Sequence, residues 1–164
     1  MSQLKPAAQR VQDELRAKGL DADVRHMPAS TRTAQEAADA CGCQVGQIVK
    51  SLIFRGARSG QPYLLLVSGI NRVDETVAAD QIGEPLGRAD AQFVREATGF
   101  AIGGIPPLGH AKPIATFIDE ALLGHRVVWA AAGTPDAVFP IAPERLAQVV
   151  AARPIRVTPA PGTC

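Results

Sequence analysis

Val49-Lys50-Ser51-Leu52-Ile53-Phe54-Arg55, then Gly56-Ala57-Arg58-Ser59-Gly60-Gln61-Pro62, then Tyr63-Leu64-Leu65-Leu66-Val67 is the stretch that decides the fold class. Two apolar runs of strand length enclose a turn-rich heptapeptide, which reads as a hairpin rather than as the strand–helix–strand unit of a doubly wound domain. Lys50 stands beside a β-branched and aliphatic run, which sets its ammonium at a sheet end. There it is either a solvated edge lysine that discourages strand pairing or a ligand for a phosphate.

Toward the N-terminus, Ala7, Val11 and Leu15 recur every four positions over residues 6–18 and Gly19 follows, predicting an amphipathic helix with a C′ glycine. Residues 23–27 alternate weakly before Pro28 and predict a short strand. Thr33-Ala34-Gln35-Glu36 is a capping box that opens a helix to about Ala40, stopped by Gly42. The loop before it, residues 28–32, places Ser30, Thr31 and Arg32 at a helix N-terminus, where hydroxyls serve capping or a polar ligand.

Toward the C-terminus, Ser68, Gly69 and Asn71 form a polar loop past a strand end, and Asp74 caps a helix to Ile82 that Gly83 closes. Residues 86–89 predict a strand, and Asp90 caps a helix through Ala97 with Phe93, Val94 and Ala97 inward. In Thr98-Gly99-Phe100-Ala101-Ile102-Gly103-Gly104-Ile105-Pro106-Pro107-Leu108-Gly109-His110 a short strand-like run breaks on two glycines and two prolines. This is either a tight turn or a rigid loop whose backbone amides face a carbonyl or oxyanion. Strands are expected at 114–118, 126–131 and 137–141, with a helical turn at 119–123, a turn at 133–136 and a last helix from Pro143 to about Ala152. The order mixes hairpins with helical insertions, so the expected fold is α/β: a mixed, largely antiparallel sheet curled towards a barrel, with surrounding helices.

The 164 residues are read as one domain, 1–164, with a Pro-rich tail from about Thr158. With five Phe, one Trp and one Tyr, the core should be aliphatic. Seventeen Lys and Arg against sixteen Asp and Glu leave +1, too little to hold nucleic acid by phosphate neutralisation alone. The absence of a bilayer-length apolar run and of a signal-like N-terminus predicts a soluble, cytoplasmic chain without membrane contact. Cys41 and Cys43 stand one residue apart with no second Cys or His cluster, and Cys164 ends the chain, so all three are read as reduced and structural.

No nucleophile–base pair, metal cluster or carboxylate pair stands out, and His26, His110 and His125 share no motif with a Ser or Cys. What the chain offers is polar or glycine-rich strand ends with one lysine: the 30–33 loop, Lys50, the 68–71 loop and the 103–110 loop. Together they suit a site that orients a substrate by amides and one cation.

The order Pro28-Ala29-Ser30-Thr31, Gly46-Gln47-Ile48-Val49-Lys50-Ser51-Leu52-Ile53-Phe54, Gly99 through Gly109, and Ala131-Ala132-Gly133 resembles the YbaK/EbsC family. That family includes relatives of the editing domain inserted in bacterial prolyl-tRNA synthetase. The resemblance covers about Val11 to Val150 and implies deacylation of mischarged tRNA, chiefly tRNA for proline, without metal or organic cofactor. It implies that Lys50 contacts the terminal adenosine phosphate and that the GxxxP loop, Gly103 to Pro107, places the aminoacyl carbonyl. The terminal ribose hydroxyl or a water it positions would assist, and no protein nucleophile is required. The implied catalytic set is Lys50, Gly103, Gly104 and Pro107. The implied substrate-binding set is His26, Ser30, Thr31, Thr33, Ser68, Asn71, Ile105, Gly109, His110 and Gly133.

Val24 and Thr33 stand where the cysteinyl-specific branch tends to carry aromatics, and Gly-Gly-Ile-Pro-Pro looks less like the alanyl-specific loop, which points to the group between those branches that acts on other small aliphatic residues such as 2-aminobutyrate; the expected wrong amino acid is cysteine, alanine or 2-aminobutyrate. Expected partners are the acceptor end of the tRNA and, for tRNA selection, prolyl-tRNA synthetase or elongation factor; the protein is expected to be a monomer. Two other readings are a non-catalytic module binding tRNA or a synthetase, and a small-molecule enzyme using the same loop for a nucleotide or acyl ligand.

Overall fold

The computed structural model describes residues 4–28, 31 and 33–159. Helix α1 (Pro6–Ala17) starts on Pro at its first turn and buries Ala8, Val11, Gln12 and Leu15. Gln12 is a polar member of that buried face: its Nε2 donates to Ala22 O and its Oε1 accepts from Val24 N, which fixes the chain entering strand β1 (Arg25–His26). Helix α2 (Ala34–Cys41) opens with both bonds of the expected capping box, Glu36 N to Thr33 Oγ1 at 3.0 Å and Thr33 N to Glu36 Oε1 at 3.1 Å.

A 3-10 turn (Val45–Gln47) leads into β2 (Ile48–Gly56), which pairs antiparallel with β3 (Pro62–Ser68) from Val49↔Ser68 to Arg55↔Pro62, the expected hairpin. There follow α3 (Glu75–Ile82), β4 (Leu86–Arg88), α4 (Ala91–Thr98) and β5 (Ala115–Asp119), with Asp74 and Asp90 as side-chain N-caps. A 3-10 helix (Glu120–Gly124) precedes β6 (Val128–Ala131), β7 (Ala137–Ile141), α5 (Pro143–Val149) and β8 (Arg153–Ile155).

The strands form one sheet in the order β1-β7-β6-β2-β3-β5-β8, with β4 on β2. β1/β7, β6/β7, β2/β3 and β2/β4 are antiparallel, whereas β2/β6, β3/β5 and β5/β8 are parallel. The sheet is therefore more evenly mixed than the hairpins suggest, because the helical insertions act as crossovers that return strands in parallel. Its path is open, so the curl stops short of a barrel. Three local readings are also corrected. The 99–102 run is a turn and not a strand; the last helix ends at Val149; and residues 153–155, to which the sequence reading assigned no element, form the edge strand β8. An edge is where a strand tolerates Pro154.

Alternation along β2 and β3 divides the core. Val49, Leu64 and Leu66 face a cluster with Val11, Leu15 and Phe139, while Leu65 and Val67 face a second with Ala78, Phe117 and Ile155. The β2–β3 turn is held by Glu84, whose Oε2 accepts from Ser59 Oγ and Tyr63 OH and whose Oε1 accepts from the N–H groups of Ser59 and Arg58. The Ser59 hydroxyl, then Tyr63 and the two amides, pull its carboxyl from the ordinary 4.5 to about 2. A carboxyl depressed in the fold adds stability above its unfolded pKa and loses it as pH falls through the folded value. The melting-temperature advantage of wild type over Glu84→Gln is thus expected at pH 6 and to shrink between pH 4.5 and 2. An advantage independent of pH would refute this reading.

Candidate active site

β2 carries the site. On its edge away from β3 it meets β6 at Ile48 and Val49 and β4 from Phe54 to Gly56, so among the described residues no strand covers 50–53 there. A cleft of about 350 Å³ opens along this stretch. Its polar lining is Thr31, Thr33, Lys50 and Ser51, with the backbone of Gly103; Ile48, Leu52, Ile102, Ile105 and Ala131 supply apolar walls.

Lys50 is half-buried, and its ammonium donates to Asn71 O. Burial lowers its pKa, and the charge of Asp119 opposes that shift. Asp119 is 2% exposed; its Oδ2 accepts from Asn71 Nδ2 at 2.8 Å and Ser68 N at 3.1 Å, and its Oδ1 from Ala121 N at 2.9 Å. The carboxylate thus fixes Asn71, and Asn71 fixes the ammonium, which keeps hydrogens for a ligand because it has three donors. Ser68 is fully buried with its hydroxyl on Gly46 O at 2.8 Å, so it braces the loop from beneath.

Opposite, residues 101–104 make a tight turn closed by Gly104 N on Ala101 O at 3.4 Å, with Gly103 at φ +106°. A Cβ on Gly103 would meet nothing within 4 Å, since that side of the residue is open. The N–H groups of Gly103 and Ile105 find no acceptor among the described residues and belong to cleft-lining residues. Gly104 differs: a Cβ there would lie 2.8 Å from Thr134 N, Cα and C. Gly133 N donates to Gly104 O at 2.8 Å, and a Cβ on Gly133 would lie 2.7 Å from Ala7 O. Gly104 and Gly133 are therefore packing contacts that seat the loop on α1 and on the 133–136 turn.

The same turn holds the other rim. Pro135 O accepts from both Thr31 N and Thr31 Oγ1, and Asp136 O accepts from Met27 N at 2.7 Å. The Asp136 carboxylate takes Lys5 Nζ at 3.2 Å, His26 Nε2 at 3.0 Å and Thr134 Oγ1 at 2.8 Å. His26 thus lies on this bracing network and not in the cleft lining. Ser30 lies outside the described residues, as does Cys164.

Pro107, Gly109 and His110 fall on a second cleft of about 470 Å³ behind the loop, together with Arg10, Lys18 and Lys112. His110 Nε2 sits 2.7 Å from Pro106 O, and a carbonyl only accepts, so this nitrogen carries the proton. Burial pushes the His110 pKa down, with the Pro106 bond opposing and Arg10 adding to the fall. Gly109 O accepts from Arg10 Nη2 at 2.9 Å. These residues prop the loop from the far side. Of the residues expected from sequence, the structure brings Thr31, Thr33, Lys50, Gly103 and Ile105 together around one cleft, with Asn71 joined through Lys50.

Sequence reading missed Ser51, Ile102 and Ala131 in the lining and Asp119 behind it. Ile102 is 59% exposed at the rim. Cys41 and Cys43 are free thiols, and burial pushes Cys41 up to about 11, the inert end of thiol behaviour. Among the described residues no three of His, Cys, Asp or Glu gather as a metal would need, and no helix is long and apolar enough to cross a membrane.

Comparison with known proteins points one way. A family model for the aminoacyl-tRNA editing domain matches residues 28–149, which span β2, the 101–107 loop and the 133–136 turn. A crystal structure described as a candidate trans-editing enzyme for prolyl tRNA synthetase is 49% identical, covers 96% of this chain and all of its own, and superposes with a TM-score of 0.91. An uncharacterized Bacillus subtilis (strain 168) protein, YwhH, is 29% identical over 126 residues, 77% of this chain and 80% of that one. The proline–tRNA ligase of Limosilactobacillus fermentum is 30% identical over 96 residues, 56% of this chain but only 17% of the ligase. The match across the residues that build the cleft makes the chain a member of the aminoacyl-tRNA editing domain family.

Proposed function

We propose that the protein hydrolyses, in trans, the ester that joins a wrong amino acid to the terminal ribose of a tRNA, chiefly tRNA for proline. The observation that carries this is one cleft with a lysine ammonium on one side and two unused backbone N–H groups, those of Gly103 and Ile105, on the other. The ammonium suits a phosphate of the terminal nucleotide, and the amides suit the carbonyl oxygen as it gains negative charge. Water adds to the ester carbonyl, the tetrahedral adduct collapses, and the C–O bond to the ribose breaks as its oxygen takes a proton. A ribose hydroxyl of the tRNA helps position that water. A cleft of about 350 Å³ sits at the small end of ligand pockets and favours alanine, cysteine or 2-aminobutyrate over bulky residues. Acceptor-end contacts supported by prolyl-tRNA synthetase or elongation factor would select the tRNA.

The test is release of amino acid from tRNA for proline charged separately with alanine, cysteine, serine, 2-aminobutyrate and proline. Release of one or more wrong residues with proline spared is expected. No release from any, with or without prolyl-tRNA synthetase, would turn the assignment to a binding module.

A further inference from the structure

Ile70 and Ile102 are the two large apolar side chains left exposed among the described residues, at 67% and 59%. Ile102 lines the cleft, whereas Ile70, beside Asn71 on the 68–71 loop, is absent from the lining. A lone exposed isoleucine is ordinary on a protein surface. One on the lip of a ligand cleft, next to unused amides, meets whatever lies there. Its turn is fixed at two points: Gly104 N donates to Ala101 O at 3.4 Å, and Gly104 O accepts from Gly133 N at 2.8 Å. The other isoleucines of the lining, Ile48 and Ile105, are buried, so the cleft is apolar both in its depth and at its mouth.

Resting on the proposed function, we infer that Ile102 packs against the face of the terminal base of the tRNA and so helps hold the nucleoside whose ester is cut. Lys50 takes the phosphate of that nucleotide, the Gly103 and Ile105 amides take the carbonyl, and the buried walls of Ile48 and Ile105 take the small side chain of the amino acid. The base is the part of the ligand still to be placed, and Ile102 is the apolar surface still open. The two come together because the ribose joins base to ester, while Ile102 and Gly103 are chain neighbours with Cα atoms about 3.8 Å apart. Packing a flat base on an aliphatic side chain removes apolar surface of both from water. Such a contact reads the area of the base and none of its hydrogen-bonding edges. Ile102 is therefore a nucleoside-binding residue that does not choose among amino acids.

Calorimetry with two hydrolysis-resistant ligands tests this: 3′-alanylamino-3′-deoxyadenosine 5′-phosphate, and the same molecule with hydrogen in place of adenine. Both are titrated onto wild type, Ile102→Ala, Ile102→Leu and Ile70→Ala, and deacylation of alanyl-, cysteinyl- and 2-aminobutyryl-tRNA for proline is followed alongside. Wild type is expected to bind the adenine ligand more tightly than the base-free one. Ile102→Ala shrinks that margin about tenfold, the scale of losing two methylene-sized groups from a buried contact, and leaves base-free binding unchanged. Ile102→Leu, which keeps the aliphatic bulk, retains the margin, and so does Ile70→Ala. In Ile102→Ala every ester that wild type cleaves slows by one common factor. An unmoved margin, equal weakening of both ligands, a matching loss in Ile70→Ala or no binding by wild type would each overturn the inference. Unequal losses among the cleaved esters would overturn it too, by placing Ile102 on the amino acid. The expected margins without hydrolysis of any ester would instead defeat the proposed function and leave this inference standing.

Discussion

Replacing Lys50 by alanine is expected to cut kcat/KM for deacylation by about 100-fold, the scale of a lost charge-assisted hydrogen bond in a partly desolvated site, while the fold survives. The reasoning separates two consequences of one deletion. Lys50 is half-buried and, among the described residues, its one hydrogen bond goes to Asn71 O, so its removal opens no large cavity and leaves the Asp119 bonds to Asn71, Ser68 and Ala121 in place. The unfolding free energy should fall by no more than about 1 kcal/mol. Single-turnover deacylation and urea unfolding of the same preparation check both halves. Retained turnover would remove Lys50 from the mechanism, and a collapse of stability would show that it belongs to the scaffold.

The second large effect concerns adjacent glycines that do different things. Gly104→Ala drives a Cβ to 2.8 Å from three backbone atoms of Thr134, a clash that no rotamer relieves, so the 101–107 loop must lift from the 133–136 turn. A loss of about 3 kcal/mol is expected, at the upper end for overpacking, together with loss of activity. Gly103→Ala meets open space, and its cost is the strain of φ +106°, about 1–2 kcal/mol, plus a methyl beside the amides proposed for the carbonyl. It should therefore stay folded at 25 °C yet deacylate poorly. Thermal melts paired with kinetics distinguish the two; a Gly103→Ala protein with normal turnover would count against the loop's role, and a stable Gly104→Ala would count against its packing.

The parts of this molecule legible in sequence are those fixed by neighbours in the chain. Thr33 with Glu36, Asp74 with Val77 and Asp90 with Phe93 mark helix starts within three residues, and the β2–β3 hairpin closes across a short turn. The parallel pairs were not legible, because β3 and β5 meet across two helices and a long loop that carry no register information. Phe100 and Ile102 look like strand residues by composition, but the Thr98 hydroxyl, which accepts from Phe100 N, turns the chain there and leaves Ile102 exposed. Arg153-Pro154-Ile155 is too short, and its proline too discouraging, to suggest a strand. The same division holds at the site. Lys50 and the glycine loop have patterns that draw attention, whereas Asp119 matters because folding buries it against Asn71, and Ile102 because folding leaves it open at the cleft rim.

The 133–136 turn holds Gly104 through Gly133 and Thr134 on one side and Met27 and Thr31 through Pro135 and Asp136 on the other, so both rims of the cleft hang from a single tetrapeptide. Thermal displacement of either rim is shared through this common mount. The two therefore travel together, and the distance between them fluctuates less than the position of each. The aperture is gauged by a peptide absent from the cleft lining except through what it holds, which frees the lining to change its chemistry one side chain at a time without altering its width.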